Sequence, residues 1–311
     1  MSVITEATRP SRDWRRPLRY LWRIPFLVLH LLVGLPITLL LINPISARID
    51  VRGERLDHLA VRLWSGMLMR IFGFRLRRYG TPLPGAVMFV ANHVSWIDIE
   101  LMHSQRMMGF VAKAEIARWP LVGWLASRGG TIYHHRGSND SLHGVMHQMV
   151  QRLEQGLSVG VFPEGRTTRG DAIATFHARI FQPAVLAGVP AQPVALKYGL
   201  RGNAQTIIAF GERENFFQNF VRLLGEPGRV AEVHFLEPVA ASEDGRRVLS
   251  YLQWQTREAG EAAFQSFESG EQDFWQLIRA HQARTVTFNS FQVLSSIARS
   301  HDDALHCHLV G

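Results

Sequence analysis

Apolar positions along this chain follow two regimes. From Ile24 to Ile42 they are nearly continuous, relieved by His30 and Thr38 and interrupted by Pro36. At roughly 1.5 Å per residue this run gives about 28 Å of helix, just enough for a hydrocarbon core. Leu56 to Phe74 mixes Leu, Val, Trp, Met and Ile with Arg62 and Arg70, the pattern of a helix lying at an interface. From Leu76 to about Pro238 short apolar runs alternate with longer helical patterns, which predicts an α/β domain. Strands are expected at Val87–Ala91, Phe110–Ala112, Thr131–Tyr133, Ser158–Phe162, Pro193–Lys197, Thr206–Phe210 and Arg229–Phe235. Helices are expected at Ile97–Arg106, Leu121–Arg128 and Leu142–Gln155, the last stopped by Gly156. Beyond Pro238, Gly245–Phe267 and Phe274–Arg284 read as surface helices. The expected fold is therefore a mixed sheet flanked by helices over residues 76–240. An N-terminal membrane-associated two-helix element, residues 1–75, precedes it, and a helical extension, residues 241–311, follows.

Charge sharpens the membrane reading without settling topology. The formal net charge is +8, and the only lysines are Lys113 and Lys197, so arginine carries the excess. Such a balance suits a partner bearing phosphate: a nucleic acid, an anionic membrane surface or an acidic substrate. No basic and aromatic recognition motif for nucleic acid is present, and a nucleic-acid partner would leave the apolar run unexplained. Arg9, Arg12, Arg15, Arg16, Arg19 and Arg23 face only Glu6 and Asp13 upstream of that run, which places residue 1 in the cytoplasm by the positive-inside rule. Arg48, Arg52 and Arg55 on the other flank blunt the asymmetry, so a helix pair in one leaflet fits as well as a span. A single cysteine, Cys307, excludes an internal disulfide.

The chemistry concentrates after two expected strands. Asn92-His93-Val94-Ser95-Trp96-Ile97-Asp98 follows the first. Five helical steps of about 100° would put His93 and Asp98 on different faces, so the histidine must sit in the turn and the aspartate in the first helical turn. Ser95 as N-cap would put Asp98 at N3, where a carboxylate reaches back. A base with its orienting carboxylate results; the blander reading is a capped helix start with a turn histidine. Phe162-Pro163-Glu164-Gly165-Arg166-Thr167-Thr168-Arg169 follows the second strand, with glycine letting backbone amides approach an anion. Both segments would emerge where α/β sheets place ligands. Three weaker signals are declined. Gly156-Leu157-Ser158-Val159-Gly160 lacks the strand–serine–helix order of a nucleophile elbow. His143 and His147 have the i, i+4 spacing of metal ligands but no glutamate between them. The tail's His301, Asp302, His306, Cys307 and His308 offer no second ligand pair, so no metal is expected.

With both segments in view, the chain resembles the glycerolipid acyltransferase family, which includes the 1-acylglycerol-3-phosphate acyltransferases. Asn-His-x-Ser-x-x-Asp is followed about 65 residues later by Phe-Pro-Glu-Gly. Between them Lys113-Ala114-Glu115-Ile116, Pro120-Leu121-Val122-Gly123 and Gly130-Thr131-Ile132-Tyr133-His134-His135-Arg136 resemble the family's second block, ending in its substrate-binding arginine. Val189-Pro190-Ala191-Gln192-Pro193-Val194 resembles the fourth. The resemblance implies acyl transfer from acyl-CoA or acyl-carrier protein to the sn-2 hydroxyl of 1-acylglycerol-3-phosphate, giving phosphatidic acid. It implies His93 as general base and Asp98 as its partner. Substrate contacts are expected from Asn92, Arg136, Glu164, Gly165 and Arg166, with oxyanion donors near Gly165. No cofactor is expected beyond the thioester co-substrate. Membrane lipids and the lysophospholipid acceptor are the expected partners, at the inner (cytoplasmic) membrane with the catalytic domain facing the cytoplasm. The family's third block usually reads Phe-Pro-Glu-Gly-Thr-Arg-Ser, whereas here Arg166 precedes Thr167 and Arg169 is added. An acceptor such as lyso-ornithine lipid is therefore the alternative, and an inert lipid-binding protein a further one.

Overall fold

The computed structural model describes residues 13–240 apart from 120–121, 136–138, 171–173 and 175. Helices α1 (Arg16–Leu29) and α2 (Leu35–Leu41) are continuous through a π-helical turn, His30–Gly34, making one helix over Arg16–Leu41. In the wide turn the Leu35 amide reaches back to His30 O, and Pro36, which has no N–H to offer Leu32, follows at once. The hairpin β1 (Asp50–Val51) and β2 (Glu54–Arg55) turns at Arg52 and Gly53, both at positive φ. Then α3 (Leu56–Ile71) leads into the sheet.

Nine strands among the described residues include seven in one sheet: β3 (Phe74–Tyr79), β4 (Met88–Ala91), β5 (Gly109–Lys113), β6 (Ile132–His134), β7 (Val159–Val161), β8 (Ala191–Tyr198) and β9 (Arg229–Phe235). Their spatial order is β3-β9-β8-β4-β7-β5-β6, parallel throughout except for the antiparallel β8–β9 pair. Central β4 pairs with both β7 and β8, and Met88, Phe89 and Val90 are completely buried, which explains an apolar run without alternation. On one face Phe89, Ala91, Val194, Leu196 and Phe235 pack against α3, α4 (Ile97–His103) and α9 (Phe216–Gly225). On the other, Met88, Val90, Val159 and Val161 pack under α6 (Asn139–Glu154) and α7 (Gln182–Leu186). The short helices α5 (Val122–Arg128) and α8 (Gln205–Ile208) complete the described chain. The expected C-terminal helices and the tail lie outside the described residues.

Three of the departures from the sequence expectation have a clear physical cause. Thr206–Phe210 is not a strand: β8 ends at Tyr198, whose carbonyl accepts from Ala204 N at 3.0 Å and whose amide donates to Gln205 Oε1 at 3.0 Å, and the chain coils into α8. Strand β3 was unexpected because three arginines fill it; as the sheet's edge it exposes them, which also blunts strand addition. Helix α9 was missed, although Asn215 and Gln218 form a reciprocal capping box at its start.

The N-terminal helix is docked along the domain. Arg23, Leu27, His30, Leu35 and Thr38 form its buried stripe, and the His30 ring stacks on Trp64 of α3 at 5.1 Å with Nε2 3.1 Å from Trp64 O. Arg16, Arg19, Tyr20 and Arg23 turn inward and donate to carbonyls at the C-terminal end of α9: Arg222 O at 3.2 Å, Gly225 O at 2.8 Å, Val221 O at 2.9 Å and Leu224 O at 2.8 Å. The carbonyls of Arg222, Leu224 and Gly225 belong to the last turn, where a helix supplies no i+4 donors of its own, and all four sit at the negative end of the helix dipole. Three of the arginines counted as a cytoplasmic flank are thus structural caps. The opposite face stays apolar and open, with Leu21, Phe26, Leu32 and Leu40 exposed.

On α4, Glu100 has a buried Oε2 with no partner among the described residues. Burial pushes its pKa up to about 7, with the Ser65 hydroxyl beside it opposing the shift. An acid raised on folding stabilises the native state while protonated, and that contribution is lost as pH rises from about 4.5 through 7. Glu100→Gln is expected to gain roughly 1–3 kcal/mol over the wild type at pH 8 and nothing at pH 4, measured by paired denaturant melts. An equal difference at both pH values would contradict this.

Candidate active site

The turn after β4 is built from side chains that replace the sheet ladder. Asn92 Oδ1 accepts from Leu196 N at 2.8 Å, and its Nδ2 donates to Leu196 O at 3.1 Å, so the amide is committed to β8. Its place in the structure is thus a bridge between the turn and β8. His93 follows, with Nδ1 2.8 Å from Asp98 Oδ2. A carboxylate only accepts, so Nδ1 carries the proton and Nε2 is left as the basic nitrogen. No described residue bonds Nε2, and the side chain retains 15% exposure.

Asp98 is completely buried and collects four donors. Oδ2 receives His93 Nδ1, Val94 N at 2.6 Å and Ser95 N at 2.8 Å; Oδ1 receives the Tyr198 hydroxyl at 2.5 Å. The aspartate does reach back to the chain entry, but the cap differs from expectation. Trp96 occupies the N-cap, and the buried Ser95 Oγ has no partner among the described residues. Only the carboxylate half of a capping box is made.

The segment after β7 wraps this histidine. Glu164 is buried, with Oε1 accepting from His93 N and Oε2 from Ala174 N, both at 2.9 Å. Burial raises its pKa, against the lowering effect of those two amides. Each oxygen accepts one backbone amide, so Glu164 ties the loop to the turn after β4. Gly165 adopts φ +65°, and a Cβ there would meet His177 Cδ2 at 3.0 Å. Its amide donates to Phe162 O at 3.0 Å. Arg166 is exposed and has no ion pair among the described residues. Thr168 N, at 2.9 Å, and Oγ1, at 3.2 Å, donate to His93 O. Arg136 lies outside the described residues.

Aromatic packing fixes the ring plane. His93 stacks on Phe162 with centroids 3.9 Å apart and planes at 11°, and Phe162 stacks in turn on Phe110 at 5.3 Å. Gly160 makes room for this column: a Cβ there would lie 2.4 Å from Phe110 Cε1. Among the declined signals, Ser158 Oγ donates to Gly85 O at 3.1 Å, a structural bond, and His143 and His147 are exposed. The tail's histidines and Cys307 lie outside the described residues.

A model of the acyltransferase family matches residues 75–197. Over 179 residues the chain is 38% identical to the lyso-ornithine lipid O-acyltransferase of Pseudomonas aeruginosa, covering 57% of this chain and 69% of that protein. The chain belongs to the acyltransferase family. This acyltransferase is also 34% identical, over 146 residues, to the 1-acyl-sn-glycerol-3-phosphate acyltransferase of Neisseria meningitidis, spanning 47% of the chain and 57% of that relative. Its fold matches the crystal structure of the 1-acyl-sn-glycerophosphate acyltransferase of Thermotoga maritima with a TM-score of 0.59 at 19% identity, over 81% of this chain and 97% of that one.

Tyr198, Phe162 and Thr168 were not singled out by sequence reasoning. Phe162 and Thr168 flank the Glu164–Arg166 block, so their position was a signal. Tyr198 carries none: it stands 100 residues from the aspartate it touches.

Proposed function

We propose that this acyltransferase moves a fatty acyl group from acyl-CoA or acyl-carrier protein to the hydroxyl of a lysolipid at a membrane surface, with His93 as general base. The observation that carries this is the imidazole fixed on two sides, with Nδ1 on Asp98 and one face on Phe162, while no described residue bonds Nε2. Nε2 takes the acceptor's hydroxyl proton as the oxygen attacks the thioester carbonyl. The carbon–sulfur bond then breaks, and the imidazolium returns the proton to the leaving thiolate. General base catalysis of this kind contributes roughly 10²- to 10⁴-fold. Asp98 fixes the tautomer and stabilises the imidazolium.

The first acceptor reading is 1-acylglycerol-3-phosphate, giving phosphatidic acid. Exposed Arg166 supports an anionic head, since a guanidinium fork matches phosphate or carboxylate oxygens, and the family resemblance adds Arg136. A second reading, lyso-ornithine lipid, is favoured by the 38%-identical relative and by the Arg166-Thr167 order. The open apolar face of the N-terminal helix supports seating in one leaflet of the inner membrane, with the site toward the cytoplasm, because its other face is bonded to the domain. Labelled acyl thioester offered in parallel with lysophosphatidate, neutral and zwitterionic lysophospholipids and lyso-ornithine lipid tests the acceptor. Preference for lysophosphatidate is expected; exclusive use of lyso-ornithine lipid installs the second reading, and transfer to none of them overturns both.

A further inference from the structure

The proton-handling pair has a third member that reaches it from across the sheet. Tyr198 closes β8, is completely buried and donates to Asp98 Oδ1 at 2.5 Å. That oxygen has no other donor among the described residues, whereas Oδ2 has three. The tyrosine is clamped: its amide is held by Gln205 Oε1, its carbonyl by Ala204 N, and its ring packs edge-on to Phe74 at 5.8 Å. Burial and the neighbouring Asp98 charge keep the phenol protonated well above its usual range, so the hydroxyl is a donor at any working pH. A core tyrosine needs only some acceptor for its hydroxyl. Here the acceptor is the carboxylate that orients His93.

We propose that Tyr198 is a positioning residue that sets the basicity of His93 through Asp98. A short hydrogen bond from a neutral phenol draws charge from the carboxylate. The imidazolium at His93 is then stabilised less than a bare aspartate would stabilise it, which leaves a base that readily returns its proton to the thiolate. Three ionisable groups belong to this constellation: Asp98 from α4 on the imidazole, Tyr198 from β8 on Asp98, and Glu164 from the loop after β7 on the His93 amide. Arg166 lies at that loop's exposed end. Glu164 is held by two backbone amides that a change at Tyr198 leaves in place.

The inference rests on His93 as the base, and the test separates the two. In Tyr198→Phe the acid limb of kcat/KM against pH is expected to move up by about half to one unit, because Asp98 regains charge. With it kcat falls roughly 5- to 30-fold and the acceptor KM stays unchanged, a loss on the scale of one charge-assisted hydrogen bond. Site-specific Tyr198→3-fluorotyrosine, a stronger donor of nearly the same shape, is expected to move the limb down. Opposite shifts cannot come from altered packing alone. An acid limb that stays put in both variants overturns the proposal, even where Tyr198→Phe is less stable. Full activity of His93→Ala overturns the base reading instead.

Discussion

His93→Ala lowers kcat for acyl transfer by roughly 10²- to 10⁴-fold while leaving the fold intact, as initial rates with labelled thioester and a melt on the same preparation will read. The fold survives because Asp98 keeps Val94 N, Ser95 N and the Tyr198 hydroxyl when the imidazole is gone. The buried carboxylate is therefore not orphaned, which is the usual route to a severe loss. What disappears is the stacked contact with Phe162, on the order of 1 kcal/mol. Backbone bonds from Thr168 and to Glu164 involve the main chain of residue 93 and persist. Activity and stability are thus expected to separate. Retained turnover would remove the base from the mechanism.

Glu164→Ala has the second-largest expected effect, and its signature distinguishes a loop-holding carboxylate from one that grips substrate. Removing it strands two part-buried amides, His93 N and Ala174 N, at about 1–3 kcal/mol each. For a domain of this size that is roughly 5–15 °C in Tm. Glu164→Gln keeps one acceptor oxygen and should lose about half as much. Because one stranded amide belongs to the histidine itself, kcat falls with the melting temperature while the acceptor KM changes little. A head-group ligand would behave in reverse, with KM rising and Tm constant, and that result would return Glu164 to the substrate.

How much of this was legible follows from the range of each interaction. The His93–Asp98 pair could be read because its partners are five residues apart and a turn into a helix is local chemistry. Strands β4, β7 and β8 were legible because burial on both faces leaves an unbroken apolar run. The structural bonds of Asn92 and Glu164 were not legible, because sequence shows the type of a polar side chain and not what satisfies it. Their partners, Leu196 and His93, are 104 and 71 residues away. Thr206–Phe210 looks like a strand on its β-branched and aromatic residues, but Gln205 Oε1 accepts from Tyr198 N and the chain coils into α8 instead.

The bonds between the N-terminal helix and α9 join groups 201 to 206 residues apart. During synthesis the helix therefore leaves the ribosome long before Gly225 and Glu226, the carbonyls it will cap, have been made. Its arginines lack those partners, and its apolar face lacks cover, for most of translation. A lipid surface satisfies both needs at once, with acyl chains for the leucines and phosphates for the guanidiniums. If the helix seats in a bilayer as proposed, this order of manufacture lets it meet lipid before the sheet exists, and folding would then move the arginines from lipid phosphates to the carbonyls of α9.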